Sequence, residues 1–260
     1  MNKNFADSHS HLSDPRIATS VESMISAAKQ LGIQTFLQGG VGPEDWERQR
    51  KLKSKHPEIL LCFGLHPYWV VDQDQTQLEA GLDLLARNIS EASALGELGL
   101  DFRPHIVKEF RELQIFAFEA QLEIAQMAAK PIVLHLVQAF DEAIRILDLF
   151  GVPKQRGFVH SFNGSAHQAS AYLERNLLLS IGGPVVRPEN QRLHQAVQSI
   201  PLESLLLETD SPDQPPPSLQ GQWNSPESLW QVAEMIGRLK KLPTEEVLDI
   251  TSQNLRKLLA

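Results

Sequence analysis

The chain repeats one unit, a short apolar run bounded by Gly, Pro or Asp followed by a longer stretch whose apolar residues recur at helical spacing. This is the pattern of βα units around a parallel sheet, and about eight of them can be drawn. Strands are expected at Phe5–Ser10, Gln34–Leu37, Ile59–Phe63, Ala94–Glu97, Ile132–His135, Phe158–His160, Leu177–Ile181 and Leu205–Glu208. Helical spacing marks Val107–Ala129, Asp141–Leu149 and Pro188–Ser199. With 260 residues and 42% hydrophobic content the chain can bury a large core. A barrel of this length is normally one domain, so the expected fold class is α/β, a (β/α)8 barrel spanning residues 1–260.

In such a barrel the chemistry sits at the C-terminal ends of the strands. Single polar residues close the apolar runs there: Glu97 closes Ala-Leu-Gly-Glu, His135 closes Pro-Ile-Val-Leu-His, His160 closes Gly-Phe-Val-His, and Asp210 follows Leu-Leu-Leu-Glu-Thr. The first run ends in Asp7-Ser8-His9-Ser10-His11. A strand sends alternate side chains to one side, so the imidazoles of His9 and His11 are expected to reach one point. Imidazoles and carboxylates together form a donor set for one or two divalent ions. Any one of these histidines could equally cap the barrel through an ordinary hydrogen bond. Glu97 could pair with Arg103, and Asp210 could cap the turn that follows it; the grouping favours metal.

The net charge of −8 argues against a protein that wraps long duplex DNA through many lysines and arginines. The one concentrated basic run, Arg48 to Lys55, reads as a solvated helix end rather than a nucleic-acid track, since only Trp46 supplies an aromatic ring beside it. The N-terminal residues lack the apolar core of a signal peptide and no run is long enough to cross a bilayer, so a cytoplasmic location without membrane contact is expected. Cys62, the one cysteine, lies in Ile-Leu-Leu-Cys-Phe-Gly and is expected to be a buried core residue. Ser211 to Ser218, rich in proline, reads as a stiff loop over the barrel mouth, and Ser225-Pro226 as the start of the next helix. His56, His105, His167 and His194 read as surface residues.

The pieces DSHSHL, FGLHP, GELGLDF, KPIVLH, FVHSFNGS and LLLETDSP, in this order along nearly the whole chain, resemble the TatD family of metal-dependent hydrolases, relatives of the amidohydrolases. The resemblance implies a TIM-like barrel with a metal centre at its mouth. By the family pattern His9, His11 and Asp210 would hold one ion, His135 and His160 a second, and Glu97 would bridge them. Two divalent ions are therefore expected as cofactors, and the donor set suits zinc, manganese, magnesium, iron, cobalt or nickel.

Two divalent cations against two carboxylates leave the centre positive if the imidazoles bind as neutral ligands, which favours an anionic substrate and acidifies water. The expected activity is hydrolysis of phosphodiester bonds, in DNA with a free end or single-stranded character or in a small phosphodiester. Asp210 is the candidate base for the attacking water. His66, in Gly-Leu-His-Pro, resembles a family position near the site where an imidazolium could contact phosphate. The family usually continues after the fifth-strand histidine with a small polar residue and an arginine, whereas His135 is followed by Leu136, Val137 and Gln138. Arg103 or Arg187 could supply the missing anion contact, Asp101 and Arg103 could fix ligand orientation, and the mouth is expected to be more apolar than the family norm. Two rival readings use the same residues. One is an amidohydrolase-like enzyme of a small molecule, acting on a lactone or by deamination; the other is a non-catalytic metal-binding protein that recognises a partner. No stable protein partner is implied.

Overall fold

A computed structural model describes residues 4–107, 110–219 and 221–260. Its strands are β1 (Phe5–Ser10), β2 (Ile33–Gln38), β3 (Ile59–Leu60), β4 (Cys62–Phe63), β5 (Ala94–Asp101), β6 (Ile132–Val137), β7 (Gly157–Val159), β8 (Leu177–Ile181) and β9 (Leu205–Leu207). All pairings are parallel, in the orders β1-β2-β3 and β4-β5-β6-β7-β8-β9. The expected strand Ile59–Phe63 is interrupted at Leu61: its first half pairs with β2 and its second with β5. The ring closes where Asp210 N donates to His9 O at 3.0 Å and His11 N donates to Ser211 O at 2.6 Å. The (β/α) barrel expected from the repeat is therefore present.

Alternation along the strands builds the barrel interior. Ala6, Leu37, Cys62, Ala94, Val133, Phe158, Leu178 and Leu206, one residue from each of eight strand segments, form a buried apolar cluster with Leu255 and Leu258 of the C-terminal helix Thr244–Leu259. Cys62 is a buried member of that layer, as expected of it. A second, larger core lies between the strands and the surrounding helices.

Two residues further along, five of these strands turn polar, where Ser8, His135, His160, Ser180 and Glu208 replace the apolar layer, and the other three carry Gly39, Gly64 and Gly96. Ser8 and Ser180 meet at 2.7 Å across the barrel. Three register shifts interrupt straight pairing, the first at Gln34, the extra residue of β2 opposite the step from Phe5 to Ala6. Between Asp7 and Ser10, β1 has one residue more than β2 between Phe36 and Gln38; between Gly96 and Leu98, β5 has one residue more than β6 between Val133 and Leu134. Each extra residue is a bulge that re-aims the side chains after it.

The strand carrying Glu97 was expected to end there, and that carrying His135 to end there too, but β5 and β6 pair onward as far as Asp101 and Val137. Glu97 thus sits mid-strand on a bulge. Gly96 and Gly99 admit the neighbouring strand: a Cβ on Gly96 would lie 2.6 Å from Val133, and one on Gly99 2.1 Å from His135 O.

Helices Phe140–Phe150 and Gln191–Ser199 match the helical spacing with small shifts at their ends. Of the expected helix Val107–Ala129, the stretch Arg111–Met127 is helical, preceded by a short turn at Pro104–Val107; residues 108 and 109 lie outside the described residues. Ser225 adopts extended backbone geometry, but its hydroxyl bonds Glu227 instead of capping an amide, and Pro226–Ser228 forms one 3-10 turn before the helix Leu229–Lys240. His194 is a correction: it is buried and its Nε2 lies 2.8 Å from Val185 O, pinning the turn after β8. No helix among the described residues is long and apolar enough to cross a membrane.

Candidate metal centre

Glu97 is at the centre of the polar layer, 1% exposed, with its two oxygens facing different groups. Oε1 lies 3.2 Å from His11 Nε2 and 3.5 Å from His9 Nε2. Oε2 lies 2.7 Å from His160 Nε2, 3.3 Å from His135 Nδ1 and 3.8 Å from His66 Nε2. Asp210 Oδ1 completes the first side, 3.6 Å from His9 Nε2 and 3.5 Å from His11 Nε2. His9 and His11, two residues apart, thus share the same pair of oxygens, as their spacing requires.

The donor atoms fall into three groups able to hold an ion: His9 with His11 and Asp210; His9 with Glu97 and His160; and His66 with Glu97 and His135. All six expected ligands belong to this cluster. The first group repeats the division implied by the family pattern, while the distances add His66 to the second side.

The chemistry of the donor set fits divalent metal. His9 Nδ1 and Nε2 and Glu97 Oε1 are buried without a hydrogen-bond partner among the described residues, an arrangement that is costly unless a ligand engages them. Gly39 leaves the space: a Cβ there would lie 2.5 Å from His11 Cε1, 2.6 Å from His9 Cε1 and 2.8 Å from Glu97 Oε1.

Outer contacts fix the rings on the second side. His66 Nδ1 accepts from Tyr68 N at 3.0 Å. His135 Nε2 lies 3.3 Å from Asp101 Oδ2, which leaves Nδ1 aimed inward. His160 Nδ1 lies 3.8 Å from Glu208 Oε1, and that oxygen accepts from Ser161 N at 2.5 Å. Asp101 was expected in this role. Glu208 was not, although its place two residues before Asp210, on the same strand face, was the available signal.

Burial opposes charge at each of these groups, and the facing partners override it. Burial would raise the Glu97 carboxyl, but His160, His9 and His66 hold it well below the usual range. Against the same burial, the hydrogen bond from His11 and the charges of His160 and His9 hold Asp210 at about 2. Burial lowers His11 and His160; carboxylates reverse this, Asp210 and Glu97 for His11, Glu97 and Glu208 for His160. His66 goes the other way: burial and the adjacent His135 keep it well below the ordinary histidine value, so the expected imidazolium gives way to a neutral ring.

A cavity of about 600 Å³ opens above the cluster. Its walls carry the ligand-type residues together with Arg16, Tyr68, Arg103, Gln214 and an apolar arc of Val41, Leu136 and Val137. Arg103 reaches the mouth, held by Asp101 Oδ1 at 2.9 Å from its Nε and by the Tyr68 hydroxyl. Arg187 does not: it is exposed beyond the turn Gly183–Val186 and is not part of the wall, because that turn carries the chain outward after β8.

A sequence profile described as TatD related DNase matches residues 6–260. The chain belongs to the TatD family. It is 31% identical over 252 residues to the uncharacterized metal-dependent hydrolase YabD of Bacillus subtilis, with 97% of each chain covered. Identity to the human deoxyribonuclease TATDN3 is 28% over 262 residues, covering 97% of this chain and 93% of that one. The crystal structure of the Escherichia coli TatD homolog YjjV has a TM-score of 0.89 at 28% identity, covering 99% of this chain and 98% of that one. This TatD protein is accordingly a metal-dependent hydrolase.

Within the TatD frame, Gln214 has no counterpart in the sequence reading. It stands in the proline loop over the mouth, as that loop was expected to, and donates from Nε2 to Asp210 Oδ2 at 2.5 Å and to Ser161 Oγ at 2.7 Å. The basic run is only in part as solvated as expected, since Lys51 and Lys55 are exposed but Arg48, Arg50 and Lys53 are half-buried, and it is largely engaged: Arg48 faces Asp45, Arg50 faces Glu47 and Glu91, Lys53 donates to Ile59 O, and Lys55 faces Glu22.

Proposed function

We propose that this protein hydrolyses phosphodiester bonds in DNA, with two divalent ions held by His9, His11, Glu97, His66, His135, His160 and Asp210. The observation that carries the reading is the Glu97 carboxylate, whose two oxygens face separate clusters of imidazole nitrogens. When bound, such ions supply the positive charge that polarises a phosphoryl group and brings the ionisation of water toward neutral pH.

The chain's own groups do the rest. Asp210, held at about 2, is ionised throughout the neutral range and accepts a hydrogen bond from the attacking water, orienting it and taking its proton. Tyr68 and Arg103, joined to each other, stand in the cavity wall with the guanidinium committed to Asp101, so they shape the mouth rather than supply a free cation. Burial of Glu97, His9 and His160 keeps bulk water from competing for the ligand atoms.

The test is metal analysis of the purified chain followed by parallel assay of single-stranded DNA, duplex DNA, RNA and p-nitrophenyl methyl phosphate with each reconstituted ion. Metal-dependent cleavage of single-stranded DNA is expected, reduced by about 10²–10⁴-fold in Asp210→Asn at equal metal content. Hydrolysis of a small-molecule ester or lactone with DNA left intact would favour the second reading, which the apolar arc of Val41, Leu136 and Val137 supports.

A further inference from the structure

Two aromatic side chains on the mouth side of the molecule are among its most exposed large apolar groups, Tyr68 at 41% and Trp223 at 48%. Both have an arginine over the ring, Arg103 at 5.5 Å from the Tyr68 centroid and Arg16 at 5.1 Å from that of Trp223. Arg16 and Arg103 both line the cavity above the metal cluster, so the two pairs flank the place where a scissile phosphate would sit.

The arginines are not free to bind phosphate as separate cations. Arg16 donates to Asp14 Oδ2 at 2.7 Å and, through both terminal nitrogens, to Asp213 at 2.9 and 2.6 Å. Arg103 is spanned by Asp101. With each guanidinium matched by carboxylate, the rim has no surplus positive charge with which to track a backbone. What remains on offer is ring surface, held in place from behind.

Trp223 is held from the chain side as well. Its neighbour Asn224 is fully buried, donates from Nδ2 to Thr209 O at 2.6 Å, and from its backbone N to Pro212 O at 2.9 Å. The ring therefore projects from an anchored segment, with one side toward Arg16. A rigid aromatic surface backed by a guanidinium is the arrangement on which a nucleobase stacks without sequence preference.

Resting on the proposed action on DNA, we infer that Trp223, backed by Arg16, is a stacking platform for an unpaired nucleobase flanking the scissile phosphate, with Tyr68 as its counterpart across the mouth. A base can lie on such a ring only after leaving the helical stack, so the platform selects single-stranded segments and frayed ends over intact duplex. Because the rim arginines are already paired, this selection has a shallow salt dependence.

The experiment uses the metal-loaded full chain and a short fluorescein-labelled oligothymidylate, with binding measured by anisotropy in the Asp210→Asn background and KM measured in the active enzyme. Trp223→Ala is expected to weaken oligothymidylate binding by about tenfold, the order of one lost base stack, and Trp223→Phe to recover most of it. In the active enzyme the KM for oligothymidylate should rise by a similar factor relative to that for p-nitrophenyl methyl phosphate, which carries no nucleobase. Unchanged oligothymidylate affinity in Trp223→Ala, or equal losses on both substrates, would overturn the inference. Binding that depends on Trp223 with no cleavage of any DNA would leave the platform standing and remove the nuclease reading; cleavage of DNA indifferent to Trp223 would do the reverse.

Discussion

Strands β6 and β7 deliver their site residues by plain alternation, whereas β1 and β5 need one extra residue each. His135 stands two beyond the interior residue Val133 and His160 two beyond Phe158, whereas Asp210, on the His9–His11 side, lies past the end of β9 with left-handed backbone (φ 56°). His9, His11 and Glu97 have the opposite parity to Ala6 and Ala94, and turn inward because His9 and Glu97 stand in the bulges themselves. Regular strands therefore supply one wall of the centre, and bulged strands supply the carboxylate that joins the walls and the histidine pair opposite. Regularity serves the barrel and irregularity serves the site, the common division in functional β structure.

The comparison breaks most completely at Glu97, whose two oxygens face both sides. Glu97→Gln keeps the shape and removes the charge that both sets of imidazoles face. Metal content at both positions should fall. Activity should drop by roughly 10⁴-fold or more, beyond the contribution of a single positioned base, because charge stabilisation is lost with it. Two-ion occupancy with near-normal turnover in Glu97→Gln, measured by elemental analysis beside the assay, would show that the two walls do not meet at this carboxylate.

Next in size is the loss of one wall. Replacing His9 and His11 together by Ala removes the bulged strand's pair while leaving His66, His135 and His160 in place. Metal content should fall to about half of the wild-type value after matched loading, since one ligand set remains able to bind a deprotonated-ligand site. The same double replacement at His135 and His160 should empty the other position. Unchanged metal content in the first double variant would sink the division into two sides.

How far the site could be read from sequence follows the same line. Alternation in apolar runs is a local property, so the strand segments and the face on which His135 and His160 stand were legible, while the left-handed turn that aims Asp210 was not. The place of Glu97 in the polar cluster was legible too, but not its position inside a strand, since a bulge depends on how the neighbouring strand pairs and leaves little trace in its own residues. The His9–His11 spacing was read correctly for convergence, though the bulge that aims the pair inward was invisible. Contacts that join distant segments were out of reach for the same reason: Gln214 on Asp210 and Ser161, Glu208 beside His160, Arg16 between Asp14 and Asp213. His194 was misplaced because a helical residue facing a turn looks no different in sequence from one facing solvent.

A smaller effect sharpens the contrast from the regular side. Asp101 is buried, lies 3.3 Å from His135 Nε2 and holds Arg103, so Asp101→Asn loosens one ligand and one wall of the mouth together. Loss of such an orienting partner typically reduces metal affinity or activity by about 10–100-fold. Titration of metal into the stripped protein should show one position weakened and the His9, His11 and Asp210 position retained. Equal weakening of both would mean that Asp101 supports the fold of β5 rather than one ring.

The smallest effect is expected at Gln214, where side-chain chemistry and not strand geometry holds the ligand. Its amide donates to the second oxygen of Asp210, so the first oxygen is left facing His9 and His11. In Gln214→Ala that orientation must come from water, which can reach the mouth and replace the lost donor in part. A bond from a neutral donor to a charged acceptor is worth about 1.5–3 kcal/mol when nothing replaces it, so partial replacement by water predicts a kcat lower by only about 3- to 10-fold. Metal content should stay at the wild-type level, because every ligand atom remains. Gln214→Glu should be worse than Ala, since a second carboxylate would then face Asp210 at hydrogen-bond distance. A rise in kcat for Gln214→Ala would reverse the assignment: the amide would then be blocking the oxygen that receives the proton, and Asp210 would work best when released from it.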